Sequence, residues 1–242
     1  MVYKRSKKTE DRKDERRKLI TKTAAKVFAE RGYHQTSVKD ITDDAEISVG
    51  TFYLYFKNKE DIFETLYDEM YKIIANITNY AIYGKEASVA ERFSRAAASS
   101  AWAHQKYREL AKILLIEAVG LNPRFEKKYA ALMQASCKSM ESTLEYLKTR
   151  GDVDIPDVRV AAIAQEGAFS HVITYWLRND SNSDLKKYIY PLVVYDLQAL
   201  KIDFQPNDVQ RYIEEIFQEL DNGIDKYISF KSLQEKRGGS DG

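Results

Sequence analysis

Four prolines and ten glycines in 242 residues leave this chain few places to turn. Proline removes a helical donor and glycine loosens the backbone, so their scarcity favours long helices over many short strands. The apolar residues agree. Leu19, Ile20, Thr23, Ala24, Val27 and Phe28 recur at helical spacing and precede Gly32, a residue suited to ending a helix. Ile62, Phe63, Leu66, Tyr67, Met70, Ile73, Ile74 and Ile77 form a second stripe, and Val89, Phe93, Ala96, Ala97, Ser100 and Ala101 a third. Further helices are predicted at about 107–119, 123–149, 157–179 and 185–200, with a last one from Asp208 to Tyr227. Pro191 predicts a kink or break in the fourth of these. The fold class is all-α. Its parts are a basic arm (1–10), a helix-turn-helix domain (11–57), a larger helical body (58–230) and a flexible tail (231–242).

Charge is distributed unevenly along the chain. The first 60 residues carry 15 Lys and Arg against 10 Asp and Glu, and the remainder 23 against 27, so a net +1 conceals a basic front and an acidic rear. Such a front suits a polyanion, although a solvated face would look the same. Cys137 is the only cysteine and cannot form an internal disulfide, which suits a reducing compartment. No apolar run approaches a membrane span: the richest, Ala168 to Leu177, contains Ser170, His171 and Thr174. With no apolar stretch behind the basic start, a cytoplasmic location is expected.

Residues 33–59 hold the most information. Ser37 can cap one short helix, with Asp40 at the capping-box position, and Ser48 can cap another, Val49 to Tyr55. About four residues, Ala45 to Ser48, join them, and Val38, Ile41, Ala45, Ile47, Phe52 and Phe56 are placed to share a small core. Such a pair can lay its second helix in a major groove. That helix opens Val49-Gly50-Thr51, small residues that let backbone approach base edges. Tyr53, Tyr55, Lys57 and Lys59 at its margin, with Thr36 and Ser37 at the first helix, offer phenol, ammonium and hydroxyl groups to phosphates. The pair could also be an ordinary αα-hairpin, and Lys57 an ordinary surface lysine.

The run from Gly50 to Glu60, following Gly32-Tyr33-His34-Gln35-Thr36-Ser37-Val38-Lys39-Asp40-Ile41, resembles the signature of TetR-type repressors over about residues 12–65. The resemblance implies DNA contacts from Thr36, Ser37, Ser48, Val49, Gly50, Thr51, Tyr53, Tyr55 and Lys59. It also implies a dimeric body with a sensor pocket between central helices. Glu46 departs from the family, which often has glycine in this turn, and so predicts slight strain; the segment 184–205 looks like an added element.

For the body, the stripe over 157–179 is wide enough to be buried on two sides, and 208–227 offers a second face. Val172, Trp176, Ile213, Phe217 and Leu220 are therefore candidate dimer contacts, with a single large monomer core as the alternative. Candidate pocket residues are Trp102, His104, Tyr107, Glu117, Gln134, Gln165, Phe169 and Tyr175. The stretches Tyr53–Phe63 and Thr174–Asp180 resemble bacterial regulators of fatty-acid breakdown, which sense acyl-CoA. No catalytic or metal-ligand spacing is present, since His34, His104 and His171 stand apart and no phosphate-binding glycine loop occurs. The expected partners are double-stranded operator DNA, a second copy of the chain and a small hydrophobic effector, with no membrane, metal or cofactor. A DNA-organising protein without an inducer is the competing expectation.

Overall fold

The computed structural model describes residues 7–82, 87–117 and 123–223. Within them lie ten α-helices and no strand: α1 (Lys7–Arg31), α2 (Val38–Asp44), α3 (Val49–Tyr53), α4 (Lys59–Ile82), α5 (Val89–Lys106), α6 (Arg108–Lys112), α7 (Pro123–Arg150), α8 (Val158–Asn179), α9 (Lys186–Ala199) and α10 (Pro206–Gly223). A π-helical turn, Ile113–Glu117, follows α6. The expected arm residues 1–6, the tail and residues 224–227 of the last predicted helix lie outside the described residues.

The chain forms two compact units, Met1–Tyr71 and Lys72–Gly242. The division falls inside α4 rather than before it at residue 58, because the start of α4 belongs to the aromatic core of the first unit. Phe63 stands edge-on to Phe28 at 5.7 Å and lies 4.6 Å from the Tyr33 ring. Ile20, Ala24, Val27, Phe28, Ile41, Phe52, Phe56, Ile62, Phe63 and Leu66 are all buried. Leu19, counted in the α1 stripe, is instead exposed. Gly32 ends α1 at φ 78°, a left-handed conformation that only glycine adopts without strain, and its N–H donates to the Phe28 carbonyl at 2.8 Å.

In the second unit α5 packs on α9 and α10, and α8 on α7. α9 is unbroken at Pro191. The ring lies on the exposed side of the helix, where the missing N–H costs one hydrogen bond but no core contact. The added segment 184–205 thus contains the helix α9, with Ile189, Leu192, Val193 and Leu197 buried. The two tryptophans are buried here; Trp176 Nε1 donates to the Ser183 carbonyl at 3.1 Å.

Candidate nucleic-acid interface

Two capped helices and one strained turn set the geometry of α2 and α3. The Ser37 hydroxyl accepts from the Asp40 N–H at 3.1 Å while the Asp40 carboxylate accepts from the Ser37 N–H at 2.8 Å. These two bonds close a capping box and satisfy two donors that a helix start otherwise leaves open. Hydrogen bonds from the Ser37 side chain and backbone, reinforced by Arg31 at 2.7 Å, hold the Asp40 carboxyl below the usual carboxylate range. Ser48 caps α3, accepting from the Thr51 N–H at 3.0 Å. Between them Glu46 sits at φ 52°, a left-handed position taken by a residue with a Cβ, as the glutamate in the turn predicted.

The result is a short helix with two unlike faces. Phe52 is completely buried and its ring lies 5.6 Å from that of Phe56. The opposite face carries Val49, Gly50 and Tyr53, with Tyr53 54% and Leu54 74% exposed. Thr51 is half-buried and shares a 2.8 Å hydrogen bond with the Ser48 hydroxyl; Tyr55 is half-buried. A Cβ added to Gly50 would meet only the Ser48 hydroxyl, at an ordinary 3.8 Å. Among the described residues nothing requires glycine there, although in a helix it costs about 1 kcal/mol relative to alanine.

One predicted contact needs correction and another has a second role. Thr36 is buried, and its hydroxyl donates inward to the Gly32 carbonyl at 2.8 Å, so it has no free side chain for a phosphate. Lys59 donates from Nζ to the carbonyls of Tyr33 and Thr36, each at 2.8 Å, and lies 4.2 Å from the centre of the Tyr33 ring. Burial pulls its pKa down. Two of its three ammonium protons therefore hold the loop that leads into α2. The lysine is a fastener of the fold first. Leu54 escaped notice, although its spacing of four from Gly50 puts it on the same outward face.

The body candidates divide similarly. His104 is buried, its Nδ1 lies 2.7 Å from the Ser100 carbonyl, and its ring is 6.3 Å from Phe169. Burial lowers its pKa, so it is neutral at pH 7. Gln165, one turn before Phe169 on α8, is buried with its Oε1 lacking a hydrogen-bond partner. Tyr107 is half-buried at the end of α5. Trp102 is buried but turned to α10, its Nε1 donating to Asp221 at 2.8 Å. Gln134 and Tyr175 are exposed and line no interior, and the side chain of Glu117 lies outside the described residues. Of the expected dimer contacts, Trp176, Ile213, Phe217 and Leu220 are buried within a single chain, where the monomer core consumes them; Val172 is half-buried.

Residues 20–66 match the family model for bacterial regulatory proteins of the tetR family, the same stretch that forms α1 to α3 and the start of α4. The chain belongs to the TetR family of transcriptional regulators. Over 174 residues, 69% of this chain and 86% of the other, it is 29% identical to the fatty acid metabolism regulator protein of Bacillus subtilis (strain 168). The solved structure of FadR from Bacillus subtilis, in complex with stearoyl-CoA, superposes with a TM-score of 0.66 at 26% identity, covering 75% of this chain and 97% of that one. The fatty acid degradation regulator FadR from Bacillus halodurans gives a TM-score of 0.68 at 25% identity, with 78% and 97% covered. These relatives are regulators, not enzymes. Among the described residues of this TetR-family chain no group of His, Cys, Asp and Glu could hold a metal ion, and no helix is long and apolar enough to cross a membrane.

Proposed function

We propose that this TetR-family regulator is a cytoplasmic repressor that binds a palindromic operator as a dimer and releases it when an acyl-CoA enters the body. The observation that carries the DNA reading is the outward face of α3. An unneeded glycine stands between Val49 and Tyr53 on an otherwise well-capped helix, which fits close approach of backbone to base edges. Ser37, Ser48, Thr51 and Tyr55 flank that face, and Lys59 retains one proton for a phosphate.

The dimer reading moves to the outer face of α8. Val160, Ala164, Gly167, His171 and Tyr175 follow at helical spacing and are all exposed, as is Ile163, with Val160 61% and Ile163 52% exposed. A Cβ on Gly167 would meet nothing within 4 Å, so among the described residues nothing requires this mid-helix glycine either. Small and apolar residues in that pattern fit a second helix at close range.

For the effector, the α5–α8 contact combines the neutral His104, the Phe169 ring and the unsatisfied Gln165 oxygen. An apolar tail suits the first two, and an amide N–H of the coenzyme arm suits the third. Likeness to a regulator crystallised with stearoyl-CoA supports that class of ligand. A hundredfold loss of operator affinity needs a coupling of about 2.7 kcal/mol, and operator must weaken ligand binding equally. The test is mapping of bound genomic DNA followed by titration of stearoyl-CoA into free and operator-bound protein. Identical ligand affinity for both forms removes acyl-CoA as the inducer, and many dispersed sites lacking a palindrome favour a DNA-organising protein instead.

A further inference from the structure

The last carbonyls of any helix lack intrahelical donors. In α4 two of them are met by arginines of α5. Arg95 Nε donates to the Ala81 carbonyl at 2.7 Å, and Arg92 Nη1 to the Ile82 carbonyl at 3.0 Å. Arg95 also donates from Nη2 to Glu219 Oε2 of α10 at 2.8 Å. The Arg95 side chain is only 3% exposed, so a full charge is buried where three helices meet. Ser99 reaches the Thr78 hydroxyl of α4 at 3.4 Å, and Trp102 reaches Asp221 of α10. Residues 92, 95, 99 and 102 fall on one face of α5. That face is a polar seam facing α4 on one side and α10 on the other.

Stability alone accounts poorly for such a seam. Burying a guanidinium carries a desolvation cost that an ion pair barely recovers, and apolar residues of equal volume often hold helices as well or better. What an ionic, hydrogen-bonded contact adds is direction: it is made in one register and lost in the next. Arg95 contacts the end of the one helix that starts in the DNA-binding unit and finishes in the body.

We propose that Arg95, with Glu219 as its counter-ion, is the positioning residue that fixes the C-terminal end of α4 in the operator-binding register. When the pair is broken α4 slips, and the recognition helices lose their spacing without any change at their DNA-contacting side chains. The effector part of this proposal rests on the reading of the body as an acyl-CoA sensor. The register part does not.

The decisive experiment measures binding to a panel of palindromic duplexes, derived from a selected operator, in which the half-site separation is varied by one or two base pairs. Arg95→Met should lose tenfold or more affinity for the preferred spacing and show a flattened spacing preference, while each half-site keeps its sequence preference. Glu219→Gln should move both quantities the same way by a smaller factor, and Arg95→Lys should restore part of each. A purely structural arginine would lower the active fraction and leave the spacing preference intact. An unchanged spacing preference in folded Arg95→Met overturns the proposal. If that variant does not fold, an unchanged preference in Glu219→Gln overturns it equally. Stearoyl-CoA is then added: the wild-type protein should lose operator affinity and Arg95→Met should respond less. If stearoyl-CoA leaves the wild-type protein on its operator, the sensor reading fails, and the spacing panel alone decides the role of Arg95.

Discussion

The two units bury polar groups in different ways. In the first, three buried threonines bond locally: Thr21 donates to the Arg17 carbonyl, Thr36 to Gly32 and Thr42 to Lys39. In the second, Ser94 and His104 also bond locally, but long-range bonds are added to them, with Arg95 to Glu219 crossing 124 residues and Trp102 to Asp221 crossing 119. The first unit is thus a largely apolar core in which these hydroxyls bond within a turn of helix. The second is tied together by directional contacts, each of which can be made or broken. Contacts of the second kind, made in one arrangement and lost in another, are what a conformational switch needs.

The largest expected effect tests the independence of the first unit. Phe63→Ala deletes a ring packed against Phe28 and Tyr33 and should cost about 3–5 kcal/mol. Both tryptophans, Trp102 and Trp176, lie in the second unit, so their fluorescence follows that unit alone. In urea, helical circular dichroism should gain an early transition while the tryptophan signal shifts little. Equal shifts would mean that the two units unfold as one.

Next in size is a charge effect confined to the second unit. Burial alone pushes Asp196 on α9 up to about 7. Its folded value lies above its unfolded one, so its contribution is fully present below about pH 4 and is lost as pH rises through 7. Asp196→Asn should remove that dependence and stabilise the protein above pH 7 on the order of a few kcal/mol, read from thermal unfolding between pH 5 and 9. A wild-type melting temperature that does not fall across this range in comparison with the variant would count against a buried carboxyl.

Lys59→Met sharpens the comparison from the other side, since it breaks a charged contact of the first unit that links distant parts of its sequence. Loss of two charged hydrogen bonds to the carbonyls of Tyr33 and Thr36 should destabilise that unit by about 1.5–3 kcal/mol. A variant that weakens DNA binding with unchanged stability would return Lys59 to a phosphate-contact role alone.

The smallest effects are the most informative about function. Gly50→Ala should raise helix stability by about 1 kcal/mol, because no atom obstructs the added methyl, yet weaken DNA binding. Glu46→Gly should raise stability by about 1 kcal/mol through relief of its left-handed backbone and leave affinity near wild type. If Gly50→Ala binds DNA as well as the parent does, the close-approach argument fails.

Those contrasts follow what was legible in the residues. The capping box at Ser37 and Asp40, the cap at Ser48, the core positions Phe52 and Phe56 and the strain at Glu46 all depend on neighbours within a few positions, so local order alone specified them. Thr36 was misjudged because whether a hydroxyl turns inward or outward depends on packing. The fold-holding role of Lys59 is not legible for a longer-range reason: its carbonyl partners lie 26 and 23 residues away. In the body, periodicity marked the helices but could not say which apolar faces the monomer itself would consume. Trp176, Ile213, Phe217 and Leu220 went to the core, and the exposed line from Val160 to Tyr175 was left over. An amphipathic stripe records that a face is buried, not what buries it. The all-helical class and the shape of α3 followed from local chemistry, which neighbouring residues carry. The placement of Arg95 between α4 and α10 required folding to bring residues 81, 95 and 219 together, and only the tertiary structure decided it.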